Sequence, residues 1–152
     1  MLPDRVDVLI VDADPLEVEL LLRALDGVWP DVRIAVARDG EEALDFLLAR
    51  GAYRHLRTAL LPRLVLLEYK LPRLDGVDVL RSIRTNPRAA ATPVVMLTSS
   101  AEPREIAQCY HFGANSCVQK PVTFGDFQST LQELGRYWLG VNQVNQLPAS
   151  LS

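Results

Sequence analysis

Five short runs of β-branched and leucine-rich residues punctuate the chain, at Val6–Val11, Val32–Ala37, Leu64–Leu67, Val94–Thr98 and Ser116–Gln119. The first, third and fourth are apolar almost throughout, as strands covered on both faces must be. Between the runs the apolar spacing changes to that of a helix. Val18, Leu21, Leu22 and Leu25 follow i, i+3, i+4, i+7, and Leu44, Leu47 and Leu48 repeat the spacing. Ile106, Cys109 and Tyr110 repeat it again, and Phe127, Leu131, Leu134 and Trp138 form a last stripe. Strand and helix alternating five times build an α/β fold with a parallel sheet and helices on both faces.

Helix start signals agree with this division. Asp14, Pro15 and Glu17 read as N-cap, first-turn proline and capping-box acid, and Asp39 with Glu42 repeats the box. Thr123 with Asp126 is a looser version. Gly51 and Gly113 fall where the second and fourth helices are expected to end. Right-handed crossovers with one reversal give a flavodoxin-like (βα)5, doubly wound sheet of order 2-1-3-4-5. In such a sheet the functional cleft lies at the carboxyl ends of the strands. Those ends carry Asp12, Glu68, Thr98 and Lys120.

Composition narrows the function classes. The 152 residues are 49% apolar and 23% charged, enough for one packed domain without a staple. We expect it over residues 1–139, with a polar tail over 140–152. No apolar run approaches the roughly 18 residues of a membrane span. A formal charge of −3 predicts no general affinity for nucleic acid. Cys109 and Cys117 lack zinc-ligand spacing and suit a reducing, cytoplasmic setting.

Read as chemistry, the strand ends gather carboxylates, a hydroxyl and an ammonium. Carboxylates need a cation, and Lys120 supplies one. A hydroxyl beside a lysine can hold one phosphoryl oxygen while the lysine neutralises another. An ion pair of Lys120 with Glu68 that merely satisfies both charges stands equally open, as does a simple turn role for Thr98. In either case an attractive lysine is expected to lower the pKa of Glu68.

The stretches VLIVDADP, LVLLEYKLPRLDG, PVVMLTSS, GANS and VQKP, in this order within residues 5–136, resemble the receiver domain of two-component response regulators. The long connection Ala52–Arg63 and the ending RYWLGVNQVNQLP resemble the stand-alone regulators of bacterial phytochromes. The resemblance implies a signalling module rather than an enzyme. It would partner a sensor histidine kinase, possess no effector domain after residue 136 and act through protein contacts. It also implies a homodimer through the fourth helix, fifth strand and fifth helix. Carried residue by residue, Thr98 matches the family's switch hydroxyl and Lys120 its phosphate-binding lysine.

Three positions depart from the family pattern. Glu68 stands where the phosphoacceptor aspartate is expected. Asp12 is followed by Ala13 instead of a second Mg²⁺-binding acid. Asp14 is acidic but placed to cap a helix. Cys117 replaces the switch aromatic. One added methylene moves the Glu68 carboxylate outward by about 1.5 Å, and phosphoryl transfer tolerates little misplacement. Ala13 has no side-chain oxygen to give Mg²⁺, which wants near-octahedral oxygen ligands. The expectation is therefore a degenerate phosphorylation site with no cofactor, Mg²⁺ binding weak or absent, and Asp12 the residual ligand candidate.

A rival reading takes Asp12 and Asp14 as a DxD pair resembling haloacid-dehalogenase-type phosphatases, with Asp12 as nucleophile and Asp14 as acid and base. The further acidic pair which that family needs is missing, because Glu102 and Glu105 lie in a helical pattern. Arg54, Arg57 and Arg63 read as a solvated loop face. Tyr137 and Leu139 flank Trp138 on the last helix, and Val141, Val144 and Leu147 continue at intervals of three. Apolar residues around so much of a terminal helix make Tyr137, Trp138 and Leu139 the dimer candidates.

Overall fold

The computed structural model describes residues 6–58 and 60–145, without the side chains of Val28, Arg57 and Thr58. Five parallel strands, β1 (Val8–Val11), β2 (Ile34–Ala37), β3 (Leu64–Glu68), β4 (Val94–Thr98) and β5 (Ser116–Gln119), pair in the order β2-β1-β3-β4-β5. Five helices connect and cover them: α1 (Pro15–Val28), α2 (Gly40–Leu47), α3 (Gly76–Thr85), α4 (Pro103–His111) and α5 (Phe124–Gly135). This is the flavodoxin-like (βα)5 arrangement the alternation predicts.

The continuous apolar runs divide by strand periodicity into two cores. Leu9, Val11, Val65, Leu67, Val94 and Met96 face Ala43, Leu47, Val79, Leu80 and Ile83 of α2 and α3. Val8, Ile10, Leu64, Leu66, Val95 and Leu97 face Leu21, Leu25, Phe127 and Leu131 of α1 and α5. Among the described residues no helix is long and apolar enough to cross a membrane.

Several boundaries differ from expectation for local reasons. β1 starts at Val8 rather than Val6, because the carboxylate and amide of Asp7 are both engaged with the Arg33 backbone. β2 starts at Ile34, since Val32 closes the turn after α1 by donating to the Trp29 carbonyl. α2 ends at Leu47, well before Gly51. Ala49, at φ 54°, takes the left-handed position, and the Arg50 amide donates to the Asp45 carbonyl at 2.9 Å. Gly51 instead opens a 3₁₀ helix, Gly51–Thr58, that buries Leu56. Gly113, at φ 103°, does end α4, with Ala114 donating back to Cys109.

Arg63 is not a solvated loop residue. Its guanidinium donates to the Leu139 carbonyl and ties the sheet to the C-terminal segment. Arg57's side chain is outside the described residues. After Gly135 the chain widens into a π-helical turn, Arg136–Val141, closed by the Asn142 amide on the Tyr137 carbonyl. The wider turn rotates Leu139 inward. It is buried in the core against α1 and α5, with Trp138 half-buried beside it. Leu139 therefore does not flank the helix and is not free to meet a partner, whereas Tyr137 is 48% exposed. Residues 146–152 of the expected tail, with Leu147, lie outside the described residues.

The Trp29 indole lies against Gly135 so closely that a Cβ there would overlap its nitrogen. Gly135→Ala gains about 1 kcal/mol of helix propensity but must displace a rigid ring. The expected outcome is a net loss of about 1–3 kcal/mol in urea unfolding, with Trp29→Leu in the same background recovering part of it.

Candidate functional site

Each polar residue of the cleft is set by a strand end. Asp12 follows β1, Glu68 ends β3, Thr98 ends β4 and Lys120 follows β5. Because β1, β3, β4 and β5 are consecutive in the sheet, the four side chains share one mouth. They line a pocket of about 340 Å³ with Ala13, Glu17, Lys70 and Ser100. The Lys120 amide donates to the Thr98 carbonyl at 2.8 Å, so the two strand ends are locked together.

The pocket centres on an ammonium. Lys120 Nζ donates to Glu68 Oε2, and at 2.6 Å to Glu17 Oε1. The side chains of Lys120 and Glu68 are 8% and 10% exposed, so this is a buried cluster. Glu17 was legible only as a capping acid. The Asp14 carboxylate does cap α1, accepting from the Leu16 amide at 3.0 Å, but Glu17 turns away to Lys120. A lysine 103 positions away in the chain leaves no local signal for this contact. Asp14 is exposed at the rim and committed to its cap, which takes it out of an acid/base pair with Asp12. Thr98 accepts from the Ser100 amide at 3.1 Å, a turn bond of its own loop.

Burial governs the protonation of the acids. Asp12, 3% exposed, is pushed up from 3.8 to about 7 by desolvation. The Asp14 amide pulls it down, while Glu17 and Glu68 push it further up. Glu68 is also raised by burial, which outweighs the pull of Lys120 and the Lys70 amide. The expected lowering by the lysine is thus reversed, because desolvation of a carboxylate at a strand end exceeds the attraction of a shared ammonium. Burial works against the charge of Lys120, yet its bonds to Glu17 and Glu68 prevail and raise its pKa.

Among the described residues, Asp12, Glu17 and Glu68 bring oxygens within 4.8 Å of one another and are the group that could hold a cation. Two of these three carboxylates are already bonded to the Lys120 ammonium. On the other flank of β4, Cys117 is half-buried, and its amide donates to the Tyr110 hydroxyl at 3.1 Å. Gly76 at the start of α3 is a steric necessity. A Cβ there would overlap the Glu68 carbonyl and come within 2.9 Å of the Tyr69 carbonyl.

Comparison with known proteins gives a consistent picture. The response regulator receiver domain family model matches residues 8–132. The probable methanogenesis regulatory protein FilR2 of Methanothrix harundinacea is 38% identical over 137 residues, covering 90% of this chain and 85% of that protein. Response regulator Rcp1 of Synechocystis is 30% identical over 143 residues, covering 94% and 93%. The structure of the bacteriophytochrome response regulator AtBRR is 39% identical with a TM-score of 0.72, covering 93% of this chain and all of that one.

The raised Asp12 gives a pH signature. Its contribution to stability is fully present below the unfolded value near 4 and is lost as pH rises through about 7. Wild-type stability in urea is expected to fall over that window relative to Asp12→Asn, with a slope of at most about 1.4 kcal/mol per pH unit. Parallel curves for the two proteins between pH 4 and 8 would contradict the buried, raised carboxyl.

Proposed function

The chain belongs to the response-regulator receiver family, and from that premise we propose a receiver module that signals through protein contacts without taking up a phosphoryl group. The observation that carries this reading is the Lys120 ammonium, bonded to Glu68 at the phosphoacceptor position and to Glu17. In this reading Glu68 supplies in part the negative charge that a phosphorylated aspartate would bring to Lys120, with Thr98 alongside. A planar carboxylate has one charge where a phosphoryl group has nearly two, so the imitation is partial.

The donor set does not suit Mg²⁺. Ala13 offers no side-chain oxygen, and Glu17 and Glu68 are held by an ammonium. Mg²⁺ needs several hard, charged oxygens in near-octahedral array. We therefore assign the pocket no cofactor. The phosphatase reading loses its acid, since Asp14 caps α1.

The partner in this proposal is a sensor histidine kinase in a bacteriophytochrome pathway. Its support is the match to the bacteriophytochrome response regulator AtBRR along that protein's full length. A homodimer is proposed through α4, β5 and α5. β5 is one of the two edge strands, with Ser116, Cys117 and Val118 half-buried and Gln119 exposed, while Tyr110 is 51% exposed above it.

Two outcomes are expected. Intact mass after exposure to acetyl phosphate and Mg²⁺ shows no phosphoryl adduct on the wild-type chain. Glu68→Asp restores little, and Glu68→Asp with Ala13→Asp restores more. A substantial adduct on the wild type would refute the reading. In light scattering at micromolar concentration the full chain runs as a dimer without any phosphodonor. Tyr137→Ser with Val141→Ser, both at exposed positions, weakens that dimer, whereas a wild-type monomer would remove the assembly proposal. Point variants are needed because truncation after Arg136 would strip Leu139 from the core.

A further inference from the structure

α4 is the least anchored helix of the fold. It buries a single residue, Cys109, and its N-cap position, Glu102, makes no side-chain capping bond. An element held by so little packing takes its position from a few specific bonds. Two of these are visible. The Tyr110 hydroxyl accepts from the Cys117 amide of edge strand β5. The Tyr69 hydroxyl donates to Gln108 Oε1 at 2.8 Å.

Tyr69 is the residue directly after Glu68. Its backbone is fixed on both sides, the amide donating to the Leu97 carbonyl at 2.8 Å and the carbonyl accepting from the Gly76 amide at 3.0 Å. Its ring packs against the core that contains Cys109, with Cys117 as a neighbour at the margin of that core. The position on β5 that the family resemblance assigns to an aromatic is thus small, and the tyrosine that follows β3 sits in the same neighbourhood. Burial raises the Tyr69 phenol, and Glu105, Cys109 and Cys117 are among the groups that act on it.

We propose that Tyr69 is the positioning residue that couples the Glu68–Lys120 pocket to α4, through its shared backbone with Glu68 and its hydrogen bond to Gln108. This rests on the receiver reading only in taking α4 as part of the output surface. A movement of Glu68 at the end of β3 is then passed to α4 by one rigid ring, without a side chain from β5.

The test is a coupling measurement by hydrogen exchange on the full chain, with α4 (103–111) as reporter and α2 (40–47) as internal reference. Glu68→Gln removes a charge from the pocket. In the Tyr69 chain it is expected to change α4 exchange by about threefold or more, with α2 unchanged. In Tyr69→Leu the α4 response to Glu68→Gln falls to near none. Tyr69→Phe, which keeps the ring and loses the Gln108 bond, gives an intermediate response and serves alone if Tyr69→Leu does not fold. An α4 response of equal size in all backgrounds overturns the proposal. So does the absence of any α4 response with Tyr69 present, or a change in α2 as large as that in α4. The exchange result does not depend on phosphoryl uptake, so either this coupling or the degenerate-site reading can fail while the other stands.

Discussion

The buried ammonium of Lys120, shared between Glu68 and Glu17, is the interaction on which the rest of the site depends. Three carboxylates converge at the ends of β1 and β3 and the start of α1. Without a cation among them, their mutual repulsion and desolvation would drive them to the neutral form. Lys120 supplies that charge from within the chain. Its reach also joins three elements, since Glu17 belongs to α1, Glu68 to β3 and Lys120 to the end of β5. Buried ion clusters contribute little net stability over an apolar equivalent, but losing one member is costly because the others remain buried and unpaired. The cluster is therefore better understood as fixing the geometry of the cleft than as holding the fold together.

The fold supplies the conditions for that cluster. Two apolar cores clamp the sheet from both faces, which leaves only the strand ends for polar chemistry. At the β3 end the backbone is packed so tightly against α3 that position 76 must be glycine. The end of β5 is held through the Lys120 amide on Thr98. The carboxylate and the ammonium thus leave from closely packed backbone, so a shift of the main chain at Glu68 is felt by the elements packed against it rather than absorbed in a loop.

The sheet order and the meeting of Asp12, Glu68, Thr98 and Lys120 were legible because they follow from strand periodicity and the handedness of crossovers, which act along the whole chain. Glu17 was not legible as a site residue, since a local capping pattern explained it fully and its true partner is distant in sequence. The direction of the Glu68 shift is not legible in the sequence for a related reason. A lysine partner can be read from a motif, whereas the depth of burial is a property of the packed structure. The early end of α2 at Leu47, before left-handed Ala49, and the inward turn of Leu139 were hidden likewise, because an alanine in left-handed backbone and a π-helical turn both go against local preference and are imposed by packing.

Lys120 is held as a charged ammonium between two carboxylates. The chain contains only two lysines, Lys70 and Lys120, and Lys70 is exposed. Nitrogen-15 NMR of lysine-labelled protein therefore reads Lys120 against an internal reference. A distinct Lys120 ammonium signal is expected, protected from solvent exchange and titrating above the ordinary lysine value, and losing its protection in Glu17→Gln with Glu68→Gln. A Lys120 signal that exchanges as fast as that of exposed Lys70, or that titrates at or below the ordinary lysine value, would contradict it.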